Sequence, residues 1–126
     1  SDIKVMVVDD NQYNREIACE LLRENGAHII ECASGSEAVD YIKYRNDIVD
    51  IILMDVCMPD MDGFEATRLI RQLEKDRWQD IPIVAMTANA FDEDRKKALE
   101  HGMNGHIAKP FDIDTFAETV LEYVKY

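Results

Sequence analysis

The feature of this 126-residue chain that most restricts its fold is a set of short apolar runs, each ending abruptly on a polar residue. Ile3-Lys4-Val5-Met6-Val7-Val8 runs into Asp9-Asp10, Ile48 to Met54 into Asp55, Ile81 to Met86 into Thr87, and Ile107-Ala108 into Lys109. Apolar runs of this length without a helical period read as strands buried on both faces, the condition of a parallel sheet covered by helices. A fifth run, His28-Ile29-Ile30-Glu31-Cys32, is more mixed and suits an edge strand.

Segments of helical period separate these runs. Ile17, Leu21 and Leu22 share a face ahead of a stop at Asn25-Gly26, and Ala38, Val39 and Ile42 follow a possible N-cap at Ser34 or Ser36. Phe64, Ala66, Leu69, Ile70 and Leu73 follow Asp62-Gly63, Ala98 lies in a charged helix ending at His101-Gly102, and Phe116, Ala117, Val120, Leu121 and Val124 form an amphipathic last helix. Strand then helix, five times over, predicts an α/β fold: a doubly wound five-stranded parallel sheet with helices on both faces. Right-handed crossovers and a weak second strand favour the flavodoxin-like order 2-1-3-4-5, which leaves strand 2 at an edge. No repeat, low-complexity tract or linker interrupts the pattern, so residues 1–126 read as a single domain.

Composition narrows the function. With 47% hydrophobic residues the chain can build a buried core, and no run approaches the ~20 apolar residues of a membrane helix. A net charge of −12 argues against nucleic acid or anionic lipid as a partner and favours a cation. Cys19, Cys32 and Cys57 show neither C-x-x-C nor zinc spacing, which suits reduced thiols in a cytoplasmic protein. The opening Ser1 suggests excision from a longer chain or a tag.

In a parallel sheet the polar residues that end the strands gather at the carboxyl edge, where such folds place their sites. Asp9, Asp10, Asp55, Thr87 and Lys109 are therefore expected to converge, although any one of them alone is more simply a polar strand end. Carboxylates ~4 Å apart repel by ~4 kcal/mol per pair at an effective dielectric near 20. One Lys cannot neutralise three of them. Mg²⁺, a hard cation that keeps exchangeable waters, is the economical counter-charge, and a carboxyl kept protonated without metal is the alternative. With a phosphoryl donor present, Lys109 and Thr87 would stabilise the transferring oxygens. Asp55, at the end of the most apolar strand, is the candidate nucleophile.

These residues resemble the receiver domain of two-component response regulators over essentially the whole chain. The resemblance rests on Asp9-Asp10 after the first strand, the run Leu53-Met54-Asp55-Val56-Cys57-Met58-Pro59-Asp60-Met61-Asp62-Gly63, Thr87-Ala88 after the fourth, and Lys109-Pro110 after the fifth. It implies that Asp55 takes phosphate from a phosphohistidine. Asp10, Asp55 and the Cys57 carbonyl would bind Mg²⁺, with Asp9 acting mainly through a water and Lys109 and Thr87 contacting phosphoryl oxygens. It also implies a cis Lys109-Pro110 bond and a switch in which His106 turns with Thr87. The family usually has Tyr or Phe where this chain has His106, so a half-exposed edge-strand histidine is the competing reading. Cys57 and Asn89 occupy positions that tune phosphoryl lifetime in the family, and carboxylates around Cys57 disfavour a reactive thiolate. Met54, Met58 and Met61 read as packing residues.

The wording of Met86 to Ala90 and of Gly102 to His106 is similar to receivers fused to hybrid sensor histidine kinases. Such a domain exchanges phosphate with a sensor histidine kinase or a histidine phosphotransfer domain, docking near Asn11, Gln12, Asn14 and Ile17, as a monomer or weak dimer without nucleic-acid or membrane contact. Solvated polar caps are the plainer reading of that segment, above all for Gln12. By itself it catalyses only its own aspartyl phosphorylation and dephosphorylation. Three rivals are weaker. A haloacid-dehalogenase-type phosphatase has a second Asp where this chain has Cys57, and needs a cap domain for which there is no room. A flavin module needs a hydroxyl- and glycine-rich loop in place of Asp9-Asp10-Asn11-Gln12. A pseudo-receiver used only for docking lacks part of the acidic set.

Overall fold

The structure is a computed structural model that describes residues 3–24, 26–44, 49–56, 58–59, 61–73, 81–87 and 92–108, together with Glu118, Val120 and Glu122. Five strands, β1 (Lys4–Val8), β2 (His28–Cys32), β3 (Ile51–Asp55), β4 (Ile83–Thr87) and β5 (Gly105–Ala108), alternate with α1 (Gln12–Glu24), α2 (Gly35–Tyr44), α3 (Gly63–Arg71) and α4 (Asp92–Glu100). All neighbouring strands pair in parallel, in the order β2-β1-β3-β4-β5. This is the expected doubly wound sheet, with the mixed strand β2 at one edge.

Alternation along each strand divides the core between the two faces. Met6, Val8, Ile52, Met54, Ile83 and Ala85 pack with Ala38 and Ile42 of α2, Phe64, Ala66 and Ile70 of α3, and Ala98 of α4. Val5, Val7, Ile51, Leu53, Val84 and Met86 face the other way, onto Ala18, Cys19, Leu21 and Leu22 of α1 and onto Val120. Glu118, Val120 and Glu122 are helical, with Val120 buried between two exposed glutamates. The other residues assigned to a last helix, Phe116, Ala117, Leu121 and Val124, lie outside the described residues, as do Asn25 and Ile48.

Element boundaries follow local chemistry. The α1 helix stops through Gly26, whose φ of 82° suits a residue without a Cβ, while the Ala27 N–H donates to the Leu22 carbonyl at 3.1 Å. Of the two candidate caps for α2, Ser34 is the one used: its Oγ accepts from the Glu37 N–H at 3.0 Å, and Glu37 accepts in turn from the Ala33 N–H at 3.3 Å. The β4 strand begins at Ile83 rather than Ile81, because Pro82 has no N–H to give, although its carbonyl still accepts from Ile52 at 2.9 Å. Leu73 packs against the core from beyond the end of α3 at Arg71. Met54 and Met58 are buried and Met61 packs partly buried beside them, as packing residues should.

No described helix is long and apolar enough to cross a membrane. Cys19 and Cys32 are free, buried thiols, pushed up to about 11 and about 12, first by burial and then by Glu31 and Glu37 respectively. A thiol whose pKa is raised on folding holds its proton in the native state while the unfolded chain loses it. Its stabilising effect is therefore complete below about pH 9 and disappears as pH rises towards 11–12. Urea denaturation across pH 8 to 12 is expected to show stability falling in that window, and substituting both residues by Ala should flatten that part of the profile.

Candidate functional site

The β1 and β3 strands are neighbours with Val8 opposite Met54, so the residues that follow, Asp9 and Asp55, emerge side by side from the middle of the sheet. Asp9 is fully buried and Asp55 is 4% exposed, whereas Asp10 lies at the surface. One oxygen from each of these three carboxylates can be chosen so that all lie within 4.8 Å of one another. The predicted convergence of the acidic residues is present. At that separation each pair repels by roughly 3–4 kcal/mol at an effective dielectric near 20, and burying two of the three removes water that would otherwise screen them.

The local backbone fixes this geometry. The Asp9 N–H donates to the Cys32 carbonyl at 3.1 Å, carrying the β1–β2 pairing one residue past the end of β1. Asp9 Oδ1 accepts from the Asn11 N–H at 2.9 Å, and Asn11 Oδ1 caps α1 by accepting from the Asn14 N–H at 3.0 Å. On the β3 side the Val56 N–H reaches the Met86 carbonyl at 3.3 Å, so Asp55 is held between two paired residues. Asp62 caps α3 by accepting from the Glu65 N–H at 2.8 Å, and the Gly63 N–H returns to the Val56 carbonyl at 3.2 Å.

Gly63 is the residue whose role sequence reasoning missed. A Cβ there would stand 2.3 Å from the Asp55 carbonyl oxygen and 2.9 Å from the Val56 Cα, so the start of α3 rests directly on the main chain of the candidate nucleophile. A Gly immediately after a capping Asp was the available signal.

The remaining predicted residues are placed unevenly. Thr87 ends β4 opposite Ala108, and His106 lies half-buried in the edge strand β5 opposite Ala85. Lys109, Cys57, Asn89 and the Lys109-Pro110 bond lie outside the described residues. Of the docking segment, Asn11 is the exposed cap of α1 and Gln12 its exposed first residue, donating to Glu16 at 3.0 Å, while Ile17 packs partly into the core. Tyr13, 71% exposed on the same turn, was not anticipated.

Comparison with known proteins settles the family. The model of the response regulator receiver domain matches residues 5–121. The chain belongs to that family. Among curated proteins, this receiver domain is 39% identical over 124 residues to hybrid signal transduction histidine kinase L of Dictyostelium discoideum, covering 97% of the chain and 7% of the relative. It spans only 7% to 13% of the length of the first curated relatives it matches. Among solved structures, it is similar to the receiver domain of sensor histidine kinase PA1611 from Pseudomonas aeruginosa PAO1, determined with a magnesium ion coordinated in the active-site cleft. That likeness has a TM-score of 0.88 and 32% identity, with 100% of both chains covered. It is also similar to the receiver domain of the Saccharomyces cerevisiae response regulator Ssk1, solved with the histidine phosphotransfer protein Ypd1. There the TM-score is 0.84 and the identity 28%, over 97% of this chain and 88% of the other.

Two substitutions probe the site's construction. Asp9→Asn keeps an oxygen for the Asn11 N–H but removes one of the crowded charges. Stability in Mg²⁺-free buffer is expected to rise by ~1–3 kcal/mol, the upper end being one pair repulsion, and a fall in the denaturation midpoint would contradict the repulsion argument. Gly63→Ala is expected to cost at least ~2 kcal/mol by overpacking against the Asp55 main chain, read by the same denaturation.

Proposed function

We propose that this receiver domain accepts a phosphoryl group from a phosphohistidine onto Asp55 in a Mg²⁺-dependent reaction. The observation that carries the reading is the approach of the Asp9, Asp10 and Asp55 carboxylates to within 4.8 Å. Oxygens sharing one Mg²⁺ at ~2.1 Å lie ~3.0 Å apart when adjacent and ~4.2 Å apart when opposite, so this donor set, with one carboxylate held back behind a water, fits the ion in both size and hardness. Asp10, Asp55 and the Cys57 carbonyl would hold it, with Asp9 in the more remote place. When bound, Mg²⁺ supplies positive charge that offsets the carboxylates and the oxygens of the transferring group.

The chain's own residues do the rest. An Asp55 carboxylate oxygen attacks phosphorus, an O–P bond forms as the donor's N–P bond breaks, and the released imidazole nitrogen is left to take up a proton. Lys109 and Thr87 are assigned to the phosphoryl oxygens, and Thr87 with His106 to the switch that reports the new charge. The opposite strand faces of the sheet, both apolar, keep Asp55 from moving during transfer.

By the names of its relatives and by the yeast receiver complex, the partner is a sensor histidine kinase or a histidine phosphotransfer domain. The larger protein is assigned as a hybrid sensor histidine kinase whose receiver lies in the cytoplasm. The first turn of α1, with Asn11, Asn14 and the exposed Tyr13, is the assigned docking surface.

Incubation with acetyl phosphate and Mg²⁺, followed by intact mass measurement at low temperature, is expected to show one added phosphoryl group. EDTA should prevent it and Asp55→Asn should abolish it. An unmodified wild-type mass under conditions where a known receiver is modified overturns the assignment.

A further inference from the structure

Arg15 stands on α1, six residues beyond Asp9, yet its side chain turns back to the sheet edge. Its Nη1 donates to the Asp9 backbone carbonyl at 2.7 Å while its Nε donates to Glu31 of β2 at 3.2 Å. The guanidinium is largely buried, at 16% side-chain exposure, and Arg23 approaches the same Glu31 at 3.7 Å. That carbonyl belongs to the peptide joining Asp9 to Asp10, so its direction fixes ψ of Asp9 and φ of Asp10 together.

We propose that Arg15 is a positioning residue for the cation site, orienting the Asp9–Asp10 peptide so that both carboxylates are presented to Asp55. The inference rests on the Mg²⁺ reading of the acidic cluster. A planar fork suits the task, since one edge holds the carbonyl while another is anchored on β2, leaving the group little freedom to follow a rotating peptide. Glu31 and Arg15 carry opposite charges, so the device orients the acidic pair without adding a bare cation beside it.

Positioning and plain electrostatics predict opposite signs. If Arg15 acted only through its charge, removing it would strengthen attraction for a divalent cation. If it orients the peptide, removing it weakens binding. The test is a Mg²⁺ titration of the whole chain by calorimetry and by ¹⁵N–¹H spectra, following the Asn11 amide that bonds Asp9 Oδ1. Arg15→Met keeps the buried stem and should bind Mg²⁺ about tenfold more weakly, with the Asn11 amide shifted already in the metal-free spectrum. Arg15→Lys restores one donor and should recover most of the loss. Equal or tighter binding by a folded Arg15→Met, or an Arg15→Lys as weak as Arg15→Met, overturns the role of Arg15. If Arg15→Met does not fold, Arg15→Gln decides: it removes the same positive charge on a polar stem and should still weaken Mg²⁺ binding several-fold, and equal or tighter binding overturns the proposal. A wild type that shows no Mg²⁺ response at all overturns the reading of the cluster, and the role of Arg15 with it.

Discussion

Mutual repulsion among Asp9, Asp10 and Asp55 is the constraint around which the molecule is arranged. No local preference brings acidic side chains to within 4.8 Å of one another, with two of them removed from water. The sheet imposes the arrangement. The β1 and β3 strands are central strands in fixed register, β3 buried throughout and β1 from Val5 onward, and their apolar side chains are shared between two faces so that neither strand can slide without exposing a whole row. The hydrophobic effect thus holds in place a charge cluster that would otherwise disperse, and a cation placed there would relieve its repulsion.

Rigidity near the cluster comes from main-chain contacts rather than from side chains alone. Asp55 is pinned by its pairing with Met86 of β4 and by the start of α3, where Gly63 permits an approach that any Cβ would block. The buried Thr67 hydroxyl donates to the Gly63 carbonyl at 2.8 Å and ties that first turn to the next. Asp9 is pinned through its N–H to β2, and through its carboxylate and its carbonyl to the cap and the first turn of α1. Two strands with no sequence connection therefore present their carboxylates as one preorganised set.

The legible part of the fold was the part written in single residues and short periods. Apolar runs ending at Asp9, Asp55 and Thr87 gave the strands and their common edge, and the mixed character of His28 to Cys32 placed β2 outermost. The choice between Ser34 and Ser36 could have been made as well, because Glu37 lies three residues after Ser34 and completes a capping pattern. What stayed hidden depends on where the backbone runs once folded. Nothing local tells that Arg15 will reach the Asp9 carbonyl, that Asp50 will accept from the Lys4 N–H at 2.8 Å where β1 begins, or that Gly63 will lie against Asp55. Arginine on an amphipathic helix reads as solvated until tertiary structure supplies an acceptor.

More than one kind of force holds the carboxyl edge of the sheet. The acidic half rises from β1 and β3, backed by α1, which buries Ala18, Cys19, Leu21 and Leu22, and by α3, which buries Phe64, Ala66 and Ile70. The half carrying Thr87 and His106 rises from β4 and the edge strand β5, beside α4, whose described side chains bury Ala98 alone. Polar bonds make up part of the difference. Arg71 at the end of α3 donates to the Gly102 carbonyl at 3.0 and 2.8 Å and to Asn104 Oδ1 at 2.8 Å, and Asn104 in turn exchanges bonds with both the N–H and the carbonyl of Ile83. Such bonds can be traded for water at small net cost, whereas buried apolar rows cannot. The described residues of the sheet edge are thus anchored in two ways, by apolar burial against α1 and α3 and by the main-chain bonds that Arg71 and Asn104 make where β4 and β5 begin.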